Sequence, residues 1–286
     1  MKKILVQLDS DRVPAVFDAV TAFDAGIDVL LPYGGIEPGE VRDLVYGAMF
    51  TRGPADLKNT AVFIGGIDVA KGEAILAQAV GAFFDPLRVS VMLDSNGCNT
   101  TAAAAVVKVV SAVPVDGRKV VVLAGTGPVG QRAAGLLAAE GADVVLTSRT
   151  LERAEAACAA VKARFAAEVA PVAAADEAGV AAALQGAVAV VCTGVEGVQL
   201  VPESLWRGHA TLKALADVNA VPPLGVEGTK ATWDGKEIDG KLLFGALGIG
   251  DLKMKVHKRS VARLFETNDQ VLDAEGIMAT AKELAG

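Results

Sequence analysis

Residues 120–150 read VVVLAGTGPVGQRAAGLLAAEGADVVLTSRT, and no other stretch restricts the folding of this chain as much. A run of β-branched residues breaks at Gly125-Thr126-Gly127-Pro128-Val129-Gly130, an Ala/Leu-rich segment of helical character follows, and a second apolar run opens at Val144. Strand, tight turn, helix and strand in that order make the opening of a doubly wound α/β unit. Each glycine has its own task. Gly125 permits the sharp exit from the strand, Gly127 lets the backbone approach a ligand, and Gly130 lets the helix pack closely. Pro128 suits the first helical turn, where its missing N–H would have had no intrahelical partner. Gly141 stands at the expected helix end. Because backbone amides and the helix dipole converge on such a turn, the whole segment, Thr126 and Val129 included, predicts a dinucleotide site.

The end of the second strand decides which dinucleotide. An acidic residue there would accept hydrogen bonds from the ribose 2′-hydroxyl of NAD. This chain instead carries Thr147-Ser148-Arg149-Thr150. Arg149 offers positive charge and a planar set of donors to a 2′-phosphate, and Ser148 and Thr150 add hydroxyls. The expected cofactor is NADP, with NAD still possible if Arg149 only solvates its loop.

At 286 residues and 52% hydrophobic content, the chain can form two domains of about 100–200 residues, each with its own core. A formal charge of -7 argues against non-specific attraction to nucleic acid or to an anionic membrane, which leaves small molecules or further copies of the chain as partners. The high apolar fraction leaves room for an interface between copies, so a homo-oligomer is expected. Cys98, Cys158 and Cys192 have no metal-type spacing, and the start MKKILVQLD is charged too early for a signal peptide. Glycine and charged residues keep every apolar run below the roughly 18 residues of a membrane span. These features point to a cytosolic, reduced protein.

Apolar strands at 3–8, 29–31, 61–64 and 89–93 alternate with helical patterns at 13–23, 40–49 and 69–83, the rhythm of a parallel sheet. A helix over 100–113 leads to the turn 115–117, a candidate hinge. A second series follows, with strands at 120–124, 144–146, 168–172, 188–192, 212–216 and 242–246, and the tail from about 252 is helical with a break near 267–270. The expected organisation is α/β with two domains. One is an amino-acid-dehydrogenase-like substrate domain over 1–114, completed by a C-terminal helix within 270–286; the other is a Rossmann domain over 115–269 with a doubly wound parallel sheet.

Acid-base residues are scarce. The two histidines, His209 and His257, sit in no catalytic constellation, and no Ser-His-Asp order, P-loop or metal-type histidine cluster occurs. A hydride acceptor without proton-transfer machinery suits a carbon flanked by two nitrogens, whose lone pairs delocalise the cation left behind; such chemistry needs positioning above all. Residues 92–102, MLDSNGCNTTA, follow a strand and open a helix. Asn99 or Thr100 could cap that helix, but a cap needs only one or two polar groups. Asp94, Asn96, Thr100 and Thr101 together suit substrate binding at the carboxyl end of a parallel strand. Cys98 there reads as a buried thiol rather than a nucleophile. Residues 216–225, ADVNAVPPLG, place Asp217 and Asn219 near a nicotinamide, unless they only shape a Pro-fixed loop. Thr193, after the strand 188–192, joins the cofactor set. In 247–255, LGIGDLKMK, Lys253 and Lys255 point to different helix faces, so at most one faces a ligand.

VQLDSDRVPAVFD, MLDSNGCNTTAAAA, LAGTGPVG, ADVNAVPPLG and FGALGIGDLKMKVH together resemble the bacterial NAD(P)-dependent methylene-tetrahydromethanopterin dehydrogenases of one-carbon metabolism. The resemblance runs over nearly the whole chain. It implies hydride transfer from methylene-tetrahydromethanopterin, in some members from methylene-tetrahydrofolate, to NADP or NAD, which leaves the methenyl cation. It also implies that Lys253 is the family's catalytic-site lysine. An ammonium would not stabilise a developing cation, so its task would be to orient the pterin by hydrogen bonds. By the same resemblance Phe17 would offer the pterin a flat apolar surface and Asp18 an acceptor for its N–H groups; read without the resemblance, both are ordinary helix residues and Phe17 belongs to a core. Two other classes stay open. A shikimate-dehydrogenase-like NADP oxidoreductase would need a Lys and Asp pair, for which Lys71 and Asp94 lack a matching context; a non-catalytic NADP-binding sensor would need none.

Overall fold

The computed structural model describes residues 1–285. Along the chain come β1 (Ile4–Asp9), α1 (Val16–Asp24), β2 (Val29–Tyr33), α2 (Val41–Met49), β3 (Thr60–Gly65), α3 (Val69–Gly81), β4 (Ser90–Leu93) and α4 (Cys98–Ala112). Next are β5 (Lys119–Leu123), α5 (Pro128–Ala139), β6 (Asp143–Ser148), α6 (Leu151–Phe165), β7 (Ala170–Ala173), α7 (Glu177–Leu184), β8 (Ala189–Cys192), α8 (Glu203–Trp206), β9 (Ala214–Asp217), β10 (Asp234–Ile238) and β11 (Lys241–Phe244). The chain ends with α9 (Ala246–Arg263), β12 (Val271–Leu272) and α10 (Ala274–Ala285).

Two compact units result, Met1–Thr100 with Met254–Thr280, and Thr101–Lys253 with the chain from Ala281. They part inside α4 and α9 rather than at the 115–117 turn and at 269/270. Residues 254–269 belong with the first unit because α9 packs there from Met254 onward and leads into β12, which pairs with β4.

In the first unit the strand order is β2-β1-β3-β4-β12, all parallel. β3 is buried along its whole length, which its near-continuous apolar sequence TAVFIG allows. Because side chains alternate, Val6, Leu8, Val62 and Ile64 enter a core with Val41, Val45, Met49 and Ile75. Each such side chain contributes roughly 1.5–3 kcal/mol by leaving water. Gln7, Asp9, Phe63 and Gly65 therefore face the other way.

The second unit has the order β10-β11-β9-β8-β5-β6-β7, parallel except for the edge strand β10. Read from β7 to β11, this is the 3-2-1-4-5-6 arrangement of dinucleotide-binding sheets, with β5 as its first strand. Val121, Leu123, Val190, Cys192 and Leu215 form its core with Trp206. Trp206 is fully buried, and its indole N–H is satisfied by the Glu227 carbonyl at 3.0 Å. The α/β alternation of the sequence is thus present. Three features were not read there: the antiparallel β10, the two-residue β12, and the start of α9 at Ala246, which makes 247–255 helical throughout. Among the described residues no helix is long and apolar enough to cross a membrane.

Candidate functional site

The glycine turn follows β5. Ala124 adopts a left-handed φ of 52°, an uncommon conformation for a residue with a side chain. Thr147 on neighbouring β6 holds it: its hydroxyl accepts the Ala124 N–H at 3.1 Å and its carbonyl accepts the Gly125 N–H at 3.0 Å. A Cβ at Gly130 would lie 2.5 Å from the Gly125 Cα, and one at Gly125 would lie 2.8 Å from Leu146 Cγ. A Cβ at Gly127 would meet nothing within 4 Å. Packing therefore requires the first and third glycines, while the second presents open backbone. Gly127 is the N-cap of α5 and Pro128 its first residue, and no side chain caps the helix, so its first amides suit an anion. Gln131 steadies the turn by donating to the Thr126 carbonyl at 2.8 Å.

The other expected cofactor residues stand at the carboxyl ends of β6, β8 and β9. Ser148 closes β6 and is buried, whereas Arg149 and Thr150 are exposed. The Thr150 hydroxyl caps α6 by accepting the Arg153 N–H at 3.4 Å. Thr193, after β8, donates to the Leu123 carbonyl at 3.1 Å. Asp217, at the end of β9, accepts the N–H groups of Asn219 and Val226, each at 3.0 Å. Asn219 in turn accepts the Val221 N–H at 2.8 Å and donates to the Pro223 carbonyl at 3.1 Å. Both side chains are thus committed to bracing the 217–226 loop. Burial pushes the Asp217 carboxyl up from its ordinary value, against the pull of these amides. Cys192, beside Asp217 in register, is pushed well up by burial and then by the Asp217 charge.

The first unit builds a different site. Its order, β2-β1-β3-β4-β12, reverses direction between β1 and β3, and ligands of doubly wound sheets bind outside the carboxyl ends at such a switch point. There Asp9 pairs in register with Gly65, and the next amide, that of Asp94, bonds to the Ile64 carbonyl at 3.1 Å. Asp9, Gly65 and Asp94 therefore form a row with a notch at its centre that neighbouring side chains close. A Cβ at Gly65 would lie 3.1 Å from Asp18 Oδ2, 3.2 Å from Asp9 Oδ2 and 3.3 Å from the Phe63 ring. Asp9 is buried and accepts the N–H of Asp11 at 2.8 Å and of Ala15 at 3.0 Å, which fixes the approach to α1.

α1 carries Phe17 and Asp18. Phe17 is 49% exposed, so it does not belong to a core. Asp94 is buried: its Oδ1 accepts the N–H groups of Asn99 and Thr100, each at 3.0 Å, and its Oδ2 accepts the Thr100 hydroxyl at 2.6 Å. It is Asp94, rather than Asn99 or Thr100, that caps the start of α4; Asn99 instead donates to the Leu93 carbonyl at 2.6 Å. Asn96 is exposed with a left-handed φ of 53°, and Thr101 is half-buried.

The remaining candidates divide clearly. On α9, Lys253 is half-buried and Lys255 exposed, as expected of two different faces. Lys71 pairs with Glu37 at 2.7 Å while Asp94 serves α4, so the two do not form a Lys–Asp pair. His209 accepts the Leu212 N–H at 3.3 Å in the loop before β9, and burial and then the Lys241 charge lower its pKa. His257 is 1% exposed, with Nδ1 3.4 Å from Asp94 Oδ2. Asp9, Phe63, Gly65 and His257 were not read as site residues. The available signal was the alternation in ILVQLD, which sends two polar side chains to one face of a buried strand, and the glycine closing TAVFIG.

Residues 16–96 match the family model described as methylene-tetrahydromethanopterin dehydrogenase, N-terminal. Over 286 aligned residues, 99% of each chain, the sequence is 49% identical to the Methylorubrum extorquens protein named bifunctional protein MdtA. It is 30% identical, over 100% of this chain and 99% of the relative, to the same organism's NAD(P)-dependent methylenetetrahydromethanopterin dehydrogenase. Among solved structures, shikimate 5-dehydrogenase from Listeria monocytogenes, in complex with shikimate and NAD, aligns with 100% of this chain and 96% of its own at a TM-score of 0.53 and 13% identity. That likeness is one of fold: two-domain, Rossmann-type α/β.

Proposed function

Because the chain belongs to the methylene-tetrahydromethanopterin dehydrogenase family, we propose that it removes a hydride from the methylene carbon of methylene-tetrahydromethanopterin and delivers it to NADP. The observation that carries this reading is the half-exposed Phe17 ring with Asp18 beside it on α1, set against the notch at Gly65 that the side chains of Asp9, Asp18 and Phe63 already close. A flat heterocycle rich in N–H groups suits such a surface, and no exposed imidazole stands there to move a proton. None is required, since the methenyl product spreads its charge over two nitrogens.

In the first unit, Phe17 would support the pterin face, Asp18 would accept its N–H groups, and Asn96 would contribute a polar contact; Thr101, the first residue of the second unit, would contribute another. Asp94 and Thr100 would act by fixing the start of α4. In the second unit, the Gly125–Gly130 turn, with Thr126, Pro128 and Val129, and the amides of α5 would hold the pyrophosphate. Ser148, Arg149 and Thr150 would hold the 2′-phosphate. Thr193, Asp217 and Asn219 would shape the wall beside the nicotinamide through the backbone they brace. Bound there, the nucleotide supplies the hydride acceptor. Lys253 would orient the pterin by hydrogen bonds and so set the approach of the reacting carbon, which is where most of the rate is gained in such a reaction.

Methylene-tetrahydrofolate, which carries the same imidazolidine ring, is the second substrate of this reading on the ground of that shared chemistry. With either substrate the reaction would belong to one-carbon, formaldehyde-derived metabolism. The test is the near-ultraviolet absorbance of reduced nicotinamide with purified protein, each pterin, and NADP or NAD. Turnover with methylene-tetrahydromethanopterin that prefers NADP is expected; no turnover with either pterin and either nucleotide overturns the proposal.

A further inference from the structure

We infer that His257 is a positioning residue for the pterin, clamping Phe17 and Asp94 around the Gly65 notch; the inference rests on the pterin reading above. The imidazole meets Phe17 edge to face, with centroids 6.0 Å apart and planes at 72°, and packs against Phe63 at 5.6 Å and 31°. Its Nδ1 lies 3.4 Å from Asp94 Oδ2. One side chain of α9 thus ties together α1, β3 and the turn before α4, the three pieces that surround Gly65.

Packing alone does not account for a histidine here. The ring is 1% exposed, and neither nitrogen has a hydrogen-bond partner in the structure. Burying such groups unpaired is unfavourable, and leucine or phenylalanine would fill the space without that cost. What an apolar residue lacks is an answer to the Asp94 carboxylate, which favours the tautomer with the proton on Nδ1 and orients the ring. So oriented, the imidazole holds Phe17 from within while the phenyl ring keeps its exposed surface. Because both its nitrogens are buried, His257 acts through Phe17 and Asp94 rather than by touching substrate.

Two histidines in the whole chain make this testable by imidazole nitrogen-15 NMR, with a His209→Gln variant to assign the signals. In the wild type, a proton on Nδ1 of His257 is expected. Methylene-tetrahydromethanopterin added without nucleotide should move the His257 signals, and NADP alone should not. For His257→Leu the KM for the pterin should rise about tenfold with kcat and the KM for NADP changed less than about twofold, the mark of lost ground-state positioning. His257→Asn, whose amide can turn a donor towards Asp94, should recover most of that loss. The inference is overturned if the enzyme turns over but saturating pterin leaves the His257 signals in place, or if the leucine variant keeps its KM, or if asparagine rescues nothing. Because the NMR arm uses the wild type, poor folding of the leucine variant would not blunt it. A failure of turnover with every pterin would instead overturn the functional reading itself, and this inference with it.

Discussion

The glycine turn after β5 and the Gly65 notch after β3 both depend on a missing side chain, but for different neighbours. A Cβ at Gly130 would run into the backbone of Gly125 at 2.5 Å, whereas a Cβ at Gly65 would meet the side chains of Asp18, Asp9 and Phe63 at 3.1–3.3 Å. Backbone against backbone allows one residue type, and the constraint falls within six consecutive residues. The notch is assembled from Asp9, Gly65, Asp94 and His257, brought together by strand register and a returning helix. A site of the first kind leaves one short motif; one of the second kind leaves its residues scattered along the chain.

The sharpest way to break this contrast is to add the side chain back at each glycine. Gly130→Ala should push α5 away from the turn, costing about 1–3 kcal/mol of stability and weakening NADP binding roughly a hundredfold, with pterin affinity nearly unchanged. Calorimetric titration with each ligand checks both halves. Gly65→Val should do the reverse, weakening pterin binding roughly thirtyfold while NADP affinity holds, because the branched side chain forces Asp18 and Phe63 apart. If either variant damaged both ligands equally, the two sites would not be the separate constructions described above.

Arg149→Ala should lower the ratio of kcat/KM for NADP over NAD by about tenfold, the size of one charge-assisted contact to the 2′-phosphate. An unchanged ratio would return Arg149 to simple solvation of its loop. The smallest effect concerns Asp217, whose pKa is raised in the fold by burial. A raised carboxyl pKa contributes stability that is fully present below the unfolded value near 3.8 and is lost as pH rises through the folded value. The stability of Asp217→Asn relative to wild type should therefore improve as pH rises through that window and level off above it, which urea melts across mildly acidic pH would reveal.

Much of the second unit was legible because its constraints are local. The spacing of Gly125, Gly127 and Gly130 and the absence of a carboxylate at 147–150 can be read without knowing what lies across the sheet. What escaped was the price of long-range pairing: Thr147 and Thr193 are spent on holding the turn, and Asp217 and Asn219 on their own loop. In the first unit MLDSNGCNTT drew notice for its density of polar groups, yet Asp94 turned out to be the helix cap, a role visible only once its carboxylate is seen against the Asn99 and Thr100 amides. Phe17 could be read as core because a phenyl on a helix usually is, and its 49% exposure follows from which face of α1 the sheet covers. His257 closes the FGALGIGDLKMKVH segment, but its partnership carried no signal: it is 163 residues from the Asp94 it touches, so neither periodicity nor spacing relates them.

The most direct test of the central claim follows the hydride itself. Methylene-tetrahydromethanopterin made with deuterium on the bridging carbon should, on turnover with NADP, give reduced nucleotide carrying one deuterium at the nicotinamide and a methenyl pterin that keeps the other. Reduced nucleotide without the label, or a labelled pterin left unoxidised beside bound NADP, would contradict direct transfer between the two ligands assigned to these units.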